Sequence, residues 1–74
     1  MSDNDWEQQF EESVARERSA MIDLLDASRA LTGAYRPSGM TSADAAGTFA
    51  QQFEAWRTAA EAVVACAEEK LAAD

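Results

Sequence analysis

Apolar residues recur at alternating steps of three and four over residues 41–71. The positions that follow this spacing are Ala46, Phe49, Phe53, Trp56, Ala60, Val63 and Ala67. This spacing places them on one face of an α-helix, as the a and d positions of a heptad, and predicts a long amphipathic helix over about 42–72. Thr41 and Asp44 fit a capping box at its start, in which each side chain bonds the backbone amide of the other.

The first part of the chain has a less regular apolar stripe, which predicts a helix over about 5–32. Asp5 is expected at its N-cap. The stripe consists of Trp6, Phe10, Val14, Met21, Leu24, Leu25 and Leu31. Glu17 occupies a heptad position where an apolar residue is expected. Gly33, Pro37 and Gly39 then interrupt helical structure, which places a loop at about 33–41, with Gly33 as the left-handed residue after the helix.

These elements predict an antiparallel hairpin with its turn near Pro37, in which Glu17 faces Trp56 and Arg57. An ion pair between Glu17 and Arg57 would fix the register of the two helices. The alternative is that Glu17 points into solvent, where such a pair contributes little. Gly47 is expected at a place where the first helix comes close to the second near the loop.

Two such stripes are wider than the seam between two helices. We therefore predict an all-α fold, a two-helix antiparallel hairpin that is completed to a four-helix bundle by dimerisation or by a partner. The 74 residues are expected to form a single domain, 1–74. A chain of this size buries only about 60% of its unfolded surface. Because Cys66 is the only cysteine, an internal disulfide is excluded, and association is the favoured source of further stability.

The partner-binding residues that we predict lie along the two stripes. They are Trp6, Phe10, Met21, Leu25, Phe49, Phe53, Trp56, Val63 and Val64. Aromatic residues at heptad spacing also build cores, so packing inside the hairpin is the other role open to them. Trp6 lies near one end of the predicted hairpin, where we expect it to anchor a partner. The partner is predicted to be a protein, either a second copy of this chain or a different protein.

The formal net charge of −8, from 14 acidic and 6 basic residues, limits the kinds of partner. Direct binding to nucleic acid requires clustered Lys and Arg, and an anionic membrane surface attracts the same residues, so neither is expected. The first ten residues are acidic and polar, unlike a signal peptide. We expect a protein that is cytoplasmic, or exported without a cleaved signal peptide.

The sequence contains no histidine, which excludes the Ser–His, Cys–His and Glu-x-x-His arrangements of hydrolases and di-metal proteins. The glycines at 33, 39 and 47 are too scattered for a phosphate-binding loop. Cys66 is expected to be a small buried residue, with an intermolecular disulfide as the alternative. We therefore expect no enzyme activity and no catalytic, metal or cofactor site.

Two functional hypotheses follow from these patterns. The first is a small acidic protein–protein interaction module that dimerises or docks onto a partner through its aromatic and alanine heptad face. The alternative is an acidic inhibitor of phage type, whose carboxylates imitate the phosphates of nucleic acid and block a basic site on its target, as anti-CRISPR proteins do. Alanine supplies 17 of the 74 positions and arginine outnumbers lysine five to one, which suggests a GC-rich bacterial or phage genome.

A run in the second half also has a family likeness. Ala45, Ala46, Gly47, Thr48 and Phe49, followed by Phe53, Trp56 and an alanine-rich tail, resemble the second helix of the WXG100 or ESX-type proteins of type VII secretion. Those proteins are small acidic helical hairpins that lack a cleaved signal peptide, and the resemblance implies a hairpin that pairs as a homodimer or heterodimer. Residues 36–40 lack the family's Trp-x-Gly turn, and residues 70–74 lack its Tyr-x-x-x-Asp/Glu export signal.

Overall fold

The protein consists of two long helices that lie side by side in one layer. A computed structural model describes residues 3–73, with α1 at Asp3–Thr32 and α2 at Ser42–Ala73. The hairpin is long and narrow, with dimensions of 51 × 17 × 13 Å. The predicted all-α fold, with two helices packed against each other, is confirmed. Asp5 lies in the first turn of α1 instead of at its N-cap, because the helix begins two residues earlier than expected.

The end of α1 is closed by Gly33 and Arg36. Gly33 has a φ of 84°, and its amide donates to the carbonyl of Ala30 at 3.3 Å, which confirms its predicted left-handed role. Arg36 Nε donates to the Ala30 carbonyl at 3.0 Å, and Arg36 Nη2 donates to the Leu31 carbonyl at 3.3 Å. The last carbonyls of a helix lack partners within it and lie at the negative end of its dipole, so the guanidinium stabilises this terminus.

A tight turn and a capping box lead into α2. The amide of Met40 donates to the carbonyl of Pro37 at 3.1 Å, and Gly39 has the positive φ, 86°, that the third position of a type II turn requires. The amide of Asp44 donates to the Thr41 hydroxyl at 3.0 Å, and the amide of Thr41 donates to the Asp44 carboxylate at 3.2 Å. This reciprocal pair confirms the predicted capping box.

The seam between α1 and α2 contains one heptad row of mostly small side chains from each helix. The two rows are Trp6, Ser13, Ala20 and Ala27 in α1, and Ala45, Gln52, Ala59 and Cys66 in α2. All eight residues are buried or half-buried. Small side chains at a helix contact allow the two axes to lie close together. Cys66 is buried, as expected for a small residue at this position.

Two hydrogen bonds from indole groups define the antiparallel register. Trp6 Nε1 donates to the carbonyl of Cys66 at 3.0 Å near one end of the hairpin. Trp56 Nε1 donates to Glu17 Oε2 at 2.7 Å in the middle. The step from Trp6 to Glu17 covers eleven residues of α1, and the matching step from Cys66 back to Trp56 covers ten residues of α2. These bonds place Glu17 opposite Trp56, as the sequence predicts.

Two expectations about the contact between the helices are wrong. Arg57 does not pair with Glu17, because its guanidinium lies along α2, 3.2 Å from Glu61 and 3.8 Å from Glu54. These acids are its neighbours one helical turn away on the exposed surface. Gly47 does not provide a close approach of α1, because a Cβ built at this position meets no atom within 4 Å.

Candidate interaction face

The apolar stripe of each helix is rotated away from the seam. In α2 the stripe combines the row of Phe49, Trp56 and Val63 with the row of Ala46, Phe53, Ala60 and Ala67. The seam also contains the row of Phe49, Trp56 and Val63. Its second row, however, is the row of small residues that begins at Ala45, and not the row that contains Ala46 and Phe53. Ala45 is therefore buried while Ala46 is exposed, contrary to the predicted seam. Adjacent heptad rows differ by about 50°, so the apolar stripe extends beyond the seam onto one side of the hairpin.

We call this side of the hairpin the open face. It comprises Glu7, Glu11, Val14, Arg18, Met21, Leu25 and Ser28 of α1, and Ala46, Ala50, Phe53, Arg57, Ala60, Val64, Ala67 and Leu71 of α2. Because the helices are antiparallel, rows that follow the seam by the same rotation in α1 and α2 lie on the same side. Met21 is 39%, Leu25 52%, Phe53 40% and Val64 55% exposed. Exposed apolar side chains grouped on one side of a protein are typical of an interaction site.

The opposite side of the hairpin has a more polar composition. Its rows contain Asp5, Gln9, Glu12, Arg16, Ser19, Asp23, Asp26 and Ala30 of α1, and Thr48, Gln51, Ala55, Thr58, Ala62, Ala65, Glu69 and Ala72 of α2. On the open face, every α2 residue except Arg57 is apolar. Five of the large apolar side chains exposed on the helices lie on the open face, namely Met21, Leu25, Phe53, Val64 and Leu71. Ile22, which is 61% exposed, lies on the side of α1 directed away from α2, and Leu31 lies at the loop end of the seam. The larger share of exposed apolar side chains is thus on one side, as expected for a helix pair that packs on both its seam and a second surface.

An aromatic cluster runs from the seam to the crest of the open face. The ring of Phe53 stacks on Phe49, with centroids 6.4 Å apart, and packs against Trp56 at 5.9 Å with a 49° tilt. Phe49 and Trp56 are half-buried, whereas Phe53 is exposed. Two rings thus hold the third in position, so that Phe53 presents a preformed apolar surface to solvent.

Glu17 lies midway along α1, in the seam row that also contains Phe10 and borders the open face. Its carboxylate is half-buried and accepts the Trp56 indole proton through Oε2. A hydrogen bond to a charged acceptor is stronger than one between neutral groups. Glu17, the polar residue that interrupts the apolar stripe of α1, is thus the hydrogen-bond partner of Trp56, whose side chain is otherwise apolar.

Trp6 takes part in three contacts within the hairpin. Its ring stacks on Phe10 with centroids 5.3 Å apart, and its indole nitrogen bonds the Cys66 carbonyl. The ammonium of Lys70 lies 5.8 Å from the ring centroid, within the range of a cation–π interaction. The geometry therefore gives Trp6 a role in joining the free ends of α1 and α2, which sequence reasoning did not identify.

The structure divides the nine predicted partner-binding residues into two groups. Met21, Leu25, Phe53 and Val64 are exposed together on the open face. The remaining five are half-buried along the seam, namely Trp6, Phe10, Phe49, Trp56 and Val63. The four exposed residues are the ones that a partner could contact without disturbing the hairpin.

The charges within the open face balance one another. The face carries two acidic residues, Glu7 and Glu11, and two basic ones, Arg18 and Arg57, whereas the whole chain has a net charge of −8. The excess negative charge therefore lies elsewhere on the molecule. The open face is both apolar and neutral.

A separate groove of about 530 Å³ lies at the loop end, on the opposite side of the hairpin. Ala27, Ala30, Pro37 and Met40 contribute apolar surface, and Tyr35 forms part of the wall. The nearby carboxylate of Asp26 lies 3.8 Å from the guanidinium of Arg29. This groove depends on the loop conformation, and no sequence pattern indicated it.

Within residues 3–73, no three Cys, Asp or Glu side chains are grouped to hold a metal ion. Neither helix, over the residues described, is long and apolar enough to span a membrane. Comparisons with protein-family models, curated proteins and solved structures found no match.

Proposed function

We propose that this protein is a non-catalytic interaction module whose open face binds another protein chain. The observation that carries this proposal is the rotation of the apolar stripe relative to the seam. A hairpin is one layer of helices, and domains are normally built from at least two layers around a core. A second pair of helices on the open face would complete a four-helix bundle. Pairing is also what the resemblance to the WXG100 or ESX-type proteins implies.

The exposed area of Phe53 gives the scale of the interaction. A phenylalanine side chain presents about 200 Å² in total, and 40% of it is exposed here, so about 80 Å² remains to be covered. At about 25 cal/mol per Å², covering it contributes about 2 kcal/mol. Met21, Leu25 and Val64 add contributions of the same kind. Together these can offset part of the entropy lost on association, which rigid helices keep low.

The test is a photo-crosslinking phenylalanine analogue at position 53, in cells that express the protein. The matched control places the same analogue at Ala62, which is exposed on the opposite side of α2. We expect crosslinks to another protein chain from position 53 and few or none from position 62. Absence of crosslinks at position 53, or equal crosslinking at both positions, would contradict the proposal.

The distribution of charge supports a second candidate function, the acidic inhibitor. Outside the open face, acidic residues outnumber basic ones on the exposed sides of both helices. A basic target would bind there and not through the apolar surface. Such binding should weaken steeply between about 0.01 and 1 M ionic strength, where the Debye length falls from about 30 to about 3 Å. Binding through the open face should persist, because apolar association is not screened by salt.

A further inference from the structure

The surface area of the hairpin is larger than that of a compact protein of the same mass. The chain exposes 5405 Å², whereas the scaling law for monomeric proteins predicts about 4,450 Å² for 8.0 kDa. The excess, about 950 Å², is close to the roughly 800 Å² that one protein contributes to a standard interface. One partner of similar size would therefore bring the surface to a normal value.

We infer that this partner is a second copy of the same chain, bound open face to open face; the inference rests on the proposed function. Two copies that each carry −8 repel one another, unless the surfaces that meet are neutral. The open face meets this condition in its residue composition, because it carries two acids, Glu7 and Glu11, and two arginines, Arg18 and Arg57. The Arg57 guanidinium is also paired with Glu54 and Glu61 at the edge of this face. A basic partner would instead be attracted to the other sides of the hairpin.

The charge outside the open face is strongly unbalanced. The exposed acidic residues there are Asp5, Glu12, Asp23, Asp26, Asp44, Glu54, Glu61, Glu68 and Glu69, against the exposed Arg16, Arg29 and Arg36. In a dimer formed through the open faces, these residues stay on the outer surface in contact with water. The arrangement keeps the repelling charges apart while the apolar surfaces meet.

The middle of the hairpin provides a self-complementary centre. Glu17 and Trp56 are hydrogen-bonded midway along the two helices, and Arg18 and Arg57 are the next residues in sequence. A homodimer interface is usually related by a two-fold axis, so the same patch meets itself. A two-fold axis through this centre brings an arginine of the second copy to the level of Glu17. The Glu17 carboxylate accepts the indole proton through one oxygen and can accept further donors from that arginine.

The test compares the solution mass of two pairs of variants by light scattering, with helicity measured by circular dichroism. Val64→Glu and Leu25→Glu place a carboxylate on the open face of α2 and α1. Ala62→Glu and Ser19→Glu add the same charge at exposed positions of the same helices outside the open face. In a two-fold dimer each copy contributes one introduced carboxylate, so two are buried in the interface. We therefore expect each open-face variant to raise the dimer dissociation constant by at least about a hundredfold.

A helical wild-type protein with twice the 8.0 kDa chain mass, reduced to one chain by Val64→Glu and Leu25→Glu only, would support the inference. A helical wild-type monomer at every concentration would overturn the second copy as occupant, while the crosslinking experiment would still decide the proposed function. A dimer that resists both open-face substitutions would also overturn the inference, because the copies would then meet through another surface, and the crosslinking experiment would again decide the proposed function.

Discussion

Replacing Trp56 by phenylalanine removes a single hydrogen-bond donor from the middle of the hairpin and keeps an aromatic ring there. The Trp56 indole nitrogen lies 2.7 Å from Glu17 Oε2, and Glu17 is half-buried. A hydrogen bond to a charged group contributes about 1.5–3 kcal/mol, and partial access of water favours the lower end. We therefore expect the free energy of unfolding to fall by about 1.5 kcal/mol. For a domain of this size, that corresponds to a decrease in Tm of roughly 6–12 °C.

The assay is thermal and urea unfolding followed by circular dichroism, at one fixed protein concentration because association shifts the apparent stability. A double-mutant cycle with Glu17→Ala isolates the pair from the other effects of each substitution. We expect a coupling energy of about 1 kcal/mol or more. A coupling energy near zero, or a Trp56→Phe protein as stable as the wild type, would refute the assignment of this bond as the central register-fixing contact.

Three further substitutions test the helix ends and the exposed surface, all by urea unfolding with circular dichroism. Gly47→Ala should raise the free energy of unfolding by about 1 kcal/mol, because the residue lies inside α2 with open space around it. A decrease would mean that the added methyl group meets a neighbouring atom. Asp44→Ala should lower the free energy of unfolding by about 1 kcal/mol because the capping box is lost. Asp44→Asn keeps a side-chain oxygen that can accept the Thr41 amide, so it should keep most of the stability of the wild type. Arg36→Ala should lower the free energy of unfolding by about 1 kcal/mol, because the Leu31 carbonyl loses its side-chain donor and the Ala30 carbonyl keeps only the Gly33 amide. Arg29→Ala, which removes an exposed arginine of α1, is the control, and equal effects of the two substitutions would argue against the cap.

The parts of the fold that depend on local chemistry could be predicted from the sequence. The capping box at Thr41 and Asp44 and the left-handed Gly33 follow from rules that involve only neighbouring residues. The opposition of Glu17 and Trp56 follows from the heptad pattern and the position of the turn.

The rotation of the seam could not be predicted, because the apolar stripe alone does not decide which of its edges meets the other helix. A stripe that predicts packing on one face is equally compatible with a seam at either edge. In the structure the seam includes Ala45, and Ala46 and Phe53 lie outside it. The sequence pattern therefore describes a wider apolar surface than the hairpin buries between its two helices.

The partners of single polar groups were also outside the reach of sequence reasoning. Glu54 and Glu61 lie within about one helical turn of Arg57. Arg57 pairs with them and not with Glu17, because pairs within one helix form without any contact between helices. Arg36 reaches back to carbonyls of α1 only because the loop has the shape set by two left-handed glycines. The contacts of Trp6 with Cys66 and Lys70 join the two ends of the sequence, and their existence depends on the register.

The most direct test of the account is hydroxyl-radical labelling of the wild-type protein, read out residue by residue by mass spectrometry, in dilute and in concentrated solution. We expect labelling of Met21, Leu25, Phe53 and Val64 to fall as the protein concentration rises, because the open face becomes covered. Tyr35, which is 71% exposed in the loop, should be labelled equally at both concentrations and serves as the internal control. If labelling of the open-face residues does not change with concentration, or if only Tyr35 becomes protected, the claim that copies of this chain bind through the open face is contradicted.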